Sequence, residues 1–207
     1  IPLKDQVDAI RRKIEKEGIG FLVIDSAAPA CGGPPEDAES ALAYFRALKR
    51  LAVPSVTIAH VNRSGDTNKP FGSAFWHNEP RRTWYISRVQ EDDADEIDVG
   101  LFCRKVNDGP RPSPISLHVS FGGRTGPVKV GLGNMADVPE LNSQTSTRNQ
   151  VWNSLQNKSP QTIAELMQNI MQDYKAVDSA LRRGPFVQVG TRPDTKGRPS
   201  VLWGRRI

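Results

Sequence analysis

Four consecutive apolar residues, Phe21-Leu22-Val23-Ile24, run into an acid, Asp25, and a hydroxyl, Ser26. A short unbroken apolar run predicts a strand buried on both faces, the condition of a parallel sheet covered by helices. Ligands bind such sheets at the carboxyl ends of their strands, and Asp25 stands at that end. A carboxylate buried there needs a cationic partner, for which a nucleotide-bound Mg²⁺ is suited. The same residues also read as a strand whose final Asp caps the next turn. Four apolar residues and an acid do not separate the two readings.

The flanks set this run in a βαβ unit. Leu3, Val7, Ile10 and Ile14 recur at spacings of three and four, which predicts a helix over residues 2–17 that Gly18 and Gly20 end. Residues 26–35, rich in Ala, Gly and Pro, form a loop where a ligand-facing loop belongs. A second helix over 36–51 places Ala38, Leu42, Phe45 and Leu48 on one face, and a second strand over 53–60 ends in His60. Strand, helix and strand within about 40 residues make parallel neighbours, so Asp25 and His60 face one cleft. A metal-held water beside a neutral histidine suits phosphate chemistry. A histidine bonded to a loop carbonyl fits the same residues.

After this unit the pattern turns antiparallel. Residues 62–71 are polar with Gly65 and Pro70, and read as a loop. Residues 83–89 and 99–105 read as strands separated by the acidic run 91–98, a solvated turn rather than a metal site. Residues 106–114 carry three prolines and form a hairpin tip. Over 115–121, Ile115, Leu117, Val119 and Phe121 alternate with polar residues, as in a half-buried strand. Residues 122–144 show little periodicity and read as a linker. The organisation expected is therefore an α/β domain over 1–121, a linker over 122–144 and a separate domain over 145–207.

Charge singles out that last segment. Residues 1–144 hold 18 Lys and Arg against 19 acids, while residues 145–207 hold 10 against 4. The whole excess of +5 therefore comes from the final third, which points to an acidic polymer as its partner. Two cysteines, Cys31 and Cys103, are too few for a disulfide framework, which suits a reducing, cytoplasmic setting. No apolar run reaches the roughly 20 residues of a membrane span, so no membrane partner is expected.

Residues 19–121 resemble the C-terminal half of RecA-like P-loop ATPases, and most of all the RepA-like and DnaB-like group of plasmids, phages and mobile elements, which includes hexameric replicative helicases. Phe-Leu-Val-Ile-Asp-Ser looks like the Walker B strand, and Thr57-Ile58-Ala59-His60 like the strand that senses the γ-phosphate. Phe71-Gly72-Ser73-Ala74 with Arg81, Arg82 and Trp84 resembles the family's Gly-Ser element and the strand after it. Residues 104–110, Arg-Lys-Val-Asn-Asp-Gly-Pro, resemble the hairpin that reaches a neighbouring subunit's ATP site. The resemblance implies catalytic roles for Asp25, through a Mg²⁺ water, and for His60. It implies nucleotide contacts in trans for Arg104, Lys105 and Asn107, although Asn107 stands where many members carry a second basic residue. ATP and Mg²⁺ are the implied cofactors, a hexameric ring the implied assembly, and single-stranded DNA the implied partner of Arg63 and Lys69 in the 62–69 loop.

One departure is large. No Gly-x-x-x-x-Gly-Lys-[Ser/Thr] occurs in the 207 residues, so the backbone cradle and lysine for the β/γ-phosphates are missing. The strand that carries the family's general-base Glu is missing too. The expectation is the C-terminal portion of a longer ATPase, or a truncated relative, that does not hydrolyse ATP by itself.

The final third reads as a winged helix-turn-helix. Val151, Trp152 and Leu155 mark a helix capped by Thr145; Ser159-Pro160 open a second with Ile163, Leu166 and Ile170. A third over 173–183 turns Tyr174, Val177 and Leu181 inward, and strands at 186–189 and 200–203 flank a basic tip. Such a domain places 173–183 in the DNA major groove with Lys175, Arg182 and Arg183, while Arg192, Lys196 and Arg198 grip phosphates and Arg205 and Arg206 extend the surface. A winged helix that docks protein instead is the alternative. For the whole chain the competing class is a non-catalytic DNA-binding module whose α/β part serves oligomerisation or regulation. A Rossmann-type small-molecule enzyme lacks any glycine fingerprint here.

Overall fold

The structure, a computed structural model, describes residues 1–61, 69–123, 125–156 and 159–206. The chain divides into two compact units, Ile1–Tyr85 with Cys103–Pro112, and Ile86–Phe102 with Ser113–Ile207. Among the described residues no helix is long and apolar enough to cross a membrane.

The first unit runs α1 (Leu3–Glu17), β1 (Leu22–Asp25), α2 (Ala27–Cys31), α3 (Ala38–Leu51), β2 (Ser55–Ile58) and α4 (Phe75–Asn78). It also holds the start of β3 (Arg82–Val89) and the end of β4 (Glu96–Val106). Leu3, Val7 and Ile14 of α1 are buried, and Gly18 stops the helix in the left-handed region, its N–H on the Ile14 carbonyl. The alanine-rich stretch expected as loop winds into α2 instead, since Ala is the best helix former and Gly32 then ends the turn.

Asp37 caps α3, accepting from the Ser40 N–H at 2.8 Å and the Ser40 hydroxyl at 2.9 Å, which holds its carboxyl below the usual range. The inward face of α3 is Ala41, Tyr44, Phe45, Ala47 and Leu51, whereas Ala38 is exposed. Tyr44 turns the helix this way. Its ring meets Phe45 and Trp76 at 5.3 and 5.2 Å, and its hydroxyl finds Thr57 at 2.7 Å.

β1 and β2 are parallel neighbours, paired from Leu22↔Ser55 to Asp25↔Ile58. Leu22 and Ile24 pack on the core, but Phe21 and Val23 are 53% and 65% exposed, and Val56 and Ile58 are exposed beside them. The strand is therefore not buried on both faces as its composition predicts. The α1 and α3 core covers one side, and none of the unit's described residues covers the other.

In the second unit the sheet order is β3-β4-β5-β6, with β5 (Ile115–Phe121) and β6 (Val128–Leu132). A 3₁₀ turn (Met135–Asp137), α5 (Pro139–Ser143), α6 (Thr147–Gln156), α7 (Ile163–Ile170), α8 (Tyr174–Arg183), β7 (Phe186–Pro193) and β8 (Pro199–Arg205) follow. Residues 122–144 are thus no linker. Gly122 and Gly126 meet backbone to backbone, where a Cβ on Gly126 would lie 2.0 Å from the Gly122 carbonyl, and the chain returns as β6. Leu117↔Leu132, Val119↔Val130 and Phe121↔Val128 then share one sheet face.

That apolar face is the uncovered one. Ile115, Phe121, Val128, Val130 and Leu132 are exposed, while Ser116 on the opposite face is buried. There α5 buries Leu141, close to Gly100 and Phe102, and Gln144 donates to the Ser87 hydroxyl at 3.0 Å. The acidic run also differs from a simple turn, because β4 begins at Glu96 and pairs Asp98 with His118 of β5.

A second core joins Val151, Leu155, Leu166, Ile170, Val177, Leu181, Phe186 and Trp203. Ser146 rather than Thr145 receives an N–H of the first turn of α6, from Asn149 at 3.3 Å. Pro160 lies outside α7. Thr162 caps that helix in a reciprocal box with Glu165, and Gln161 exchanges backbone hydrogen bonds with Trp203 at 3.1 and 2.8 Å. Tyr174, expected inward, is 57% exposed at the start of α8. Both cysteines are buried and free.

Candidate functional site

Two groups of polar and charged residues are the candidates, one in each unit. In the first unit, the parallel register sets Asp25 at the end of β1 and His60 two residues past its partner Ile58. Both side chains are exposed. Among the described residues Asp25 has no side-chain hydrogen bond or ion pair; its peptide bond to Ser26 is cis. The His60 carbonyl accepts from the Phe71 N–H at 2.8 Å, and Val61 bridges Pro70.

The Gly-Ser element is held against the loop after α2. The Ser73 N–H and the Trp76 indole both donate to the Pro35 carbonyl at 2.9 Å. Gly72 permits this approach: its φ is +107°, and a Cβ there would lie 2.5 Å from that carbonyl oxygen. Sequence reasoning missed Pro35, since a proline carbonyl gives no signal as a double acceptor.

A water-mediated Mg²⁺ role suits an unpartnered carboxylate at a strand end. Among the described residues no three His, Cys, Asp or Glu groups converge on a metal site. Asp25 therefore fits the ion only as one contact through water, with the remaining ligands drawn from water and nucleotide phosphates. The ion would neutralise phosphate charge there; the phosphate cradle is not among these residues.

The 104–108 residues are engaged within the chain. Lys105 Nζ donates to the carbonyls of His77, Asn78 and Pro80 at 3.1, 2.5 and 2.8 Å, gathering the end of α4. Arg104 lies over the Tyr85 ring at 5.3 Å, and its carbonyl accepts from Arg111. The Asn107 N–H donates to the Arg81 carbonyl at 3.1 Å, while its side chain is exposed. Arg82 grips Asp108 with two hydrogen bonds of 3.1 and 3.0 Å, and holds that carboxyl below its usual range. Opposite charges 26 residues apart give no sequence signal for this pair.

In the second unit the cations gather on α8 and the β7-β8 hairpin. Asp173 caps α8, accepting from the Ala176 N–H at 2.7 Å. Lys175, Arg182 and Arg183 are exposed on that helix, and Arg182 Nε donates to Asp178 at 2.9 and 2.8 Å. Arg192 pairs with Glu165, which ties the hairpin to the capping box of α7. The Asp194 carboxylate accepts the backbone N–H groups of Lys196 and Arg198, both at 2.8 Å, and so shapes the exposed turn that carries them. Arg205 lies over the Trp152 ring at 4.9 Å. Lys69 is exposed, and Arg63 lies outside the described residues. A recess of about 180 Å³ beside Trp152, Asn149 and Asn153 holds none of these cations, and is smaller than the few hundred Å³ of ordinary ligand pockets.

No protein-family model matches the chain, and no curated protein is similar to it. The class the structure defines is a mixed α/β protein, with one parallel and two antiparallel sheets among the described residues.

Proposed function

We propose that this chain is the DNA-contacting part of a RecA-like, ATP-dependent DNA-replication protein, with residues 145–207 acting as a winged helix on duplex DNA. The observation that carries the reading is the order α6, Gln161 bridge, α7, α8, β7, β8, with exposed cations on α8 and the hairpin turn. Exposed cations on α8 and on the hairpin turn suit a strongly acidic partner such as DNA. Asp25 and His60 at neighbouring strand ends support the ATPase half, where the nucleotide's phosphate cradle and the ring partners lie outside these residues.

A second reading has its own support. Lys105 is spent on carbonyls of its own chain, and sheet faces in both units are bare and apolar. Both favour an α/β part that serves assembly, with no nucleotide chemistry, in a DNA-binding module.

The test is a titration of the full chain with a labelled duplex across salt. The binding constant is expected to fall linearly with salt on logarithmic axes, and Lys196→Ala with Arg198→Ala to reduce the slope by about two. Binding indifferent to salt, or none at low salt, would overturn the DNA reading.

A further inference from the structure

Arg182 lies in the last turn of α8, one turn after Asp178. Its Nε donates to both carboxylate oxygens of Asp178, at 2.9 and 2.8 Å. The Arg182 side chain is 71% exposed, whereas that of Asp178 is 22% exposed. Only Nε is spent on the pair. The two Nη groups, the outer fork of the guanidinium, have no partner among the described residues. The helix buries Val177, Ala180 and Leu181, so Lys175, Asp178 and Arg182, spaced by three and four, share the opposite side.

We propose that Arg182 is a base-reading residue, its Nη fork donating to O6 and N7 of one guanine in the major groove, and that Asp178 is the positioning residue that aims the fork. The inference rests on the winged-helix reading above, with α8 in the groove. A planar fork of two parallel donors matches the two adjacent acceptors of guanine, a pattern no other base edge shows. Holding Nε fixes the plane of that fork before DNA arrives, so less side-chain freedom is lost on binding. The nearby carboxylate also offsets the attraction of Arg182 to phosphates. The side chains of Lys175, Arg183, Lys196 and Arg198 form no ion pair among the described residues, although Asp194 holds the backbone of the last two, and they suit phosphate contacts. Arg192 is held by Glu165 and fastens the hairpin to α7.

The experiment selects binders to the full chain from a randomised duplex library and titrates the selected and unselected duplexes across salt. Wild type is expected to enrich guanine at one position. Arg182→Lys keeps the charge but loses the fork, and should lower the ratio of selected- to unselected-duplex affinity at least about fivefold. Asp178→Asn should lower the same preference and no other. Lys196→Ala, the phosphate control, should weaken all duplexes alike and reduce the salt slope by about one. Guanine preference retained in Arg182→Lys overturns the proposal, as does uniform loss of affinity, which would make Arg182 a phosphate contact. A wild type that binds duplex without sequence preference overturns it too, yet leaves the DNA reading standing. A wild type that binds no duplex at low salt overturns both. Helix content measured by circular dichroism separates these outcomes from misfolding.

Discussion

His118 on β5 stands between two acids of β4, with Nδ1 at 3.0 Å from Asp98 and Nε2 at 3.6 Å from Glu96. The Asp98 hydrogen bond, with Glu96 behind it, raises the imidazole above the ordinary histidine value of 6.5. A raised value means the folded state holds the proton more tightly than the unfolded chain. The pair therefore adds stability below pH 6.5, and that contribution is lost as pH rises through the folded value. His118→Gln is expected to destabilise the chain at pH 5.5 and to be near neutral at pH 8.5; urea unfolding at the two pH values checks this, and an equal loss at both would refute it. At this scale the strand-end residues were legible: Asp25 and His60 follow from where apolar runs stop. The destinations of long side chains were not. Lys105 and Arg82 span several residues' width, and only the folded arrangement brings the α4 carbonyls to one and Asp108 to the other.

Among the elements, α7 shows how capping chemistry reaches beyond its own helix. Thr162 accepts from the Glu165 N–H at 3.3 Å, and the Glu165 carboxylate accepts from the Thr162 N–H at 2.8 Å while also pairing with Arg192. The Thr162 N–H, its hydroxyl and Arg192 together hold the Glu165 carboxyl below its usual range. Thr162→Ala should lower the urea midpoint by an amount worth about 1 kcal/mol with an unchanged slope on denaturant. No change in midpoint would mean that Glu165 and Arg192 hold the helix start without the hydroxyl. Helices α1, α3 and α8 were legible because apolar spacing marks all three, and Gly18 and Gly184 end the first and the last. The β6 strand and α5 were not. Five residues, Val-Lys-Val-Gly-Leu, pair only because two glycines close the turn before them. The alternation in β5 revealed two faces, but α5 decides which is covered, and it covers the serine side.

For the whole molecule, the exposed apolar sheet faces bear on association. Leu132 is 85% exposed and Val130 63% exposed on an edge strand, an arrangement that favours association through open backbone groups and apolar surface. Leu132→Lys is expected to leave unfolding free energy within about 0.5 kcal/mol of wild type. Concentration-dependent light scattering should fall in the same variant, and a clear loss of stability would mean that Leu132 is packed. The division into units has a different kind of consequence. The chain crosses between them after Tyr85, Phe102 and Pro112. A growing chain therefore cannot complete the first unit before it has made a strand of the second, and no single cleavage releases one unit free of residues of the other. Nicking at any one of these crossings leaves a unit in two pieces, so protease fragments should stay together until denatured, and any continuous stretch of the gene that encodes all of one unit also encodes part of the other.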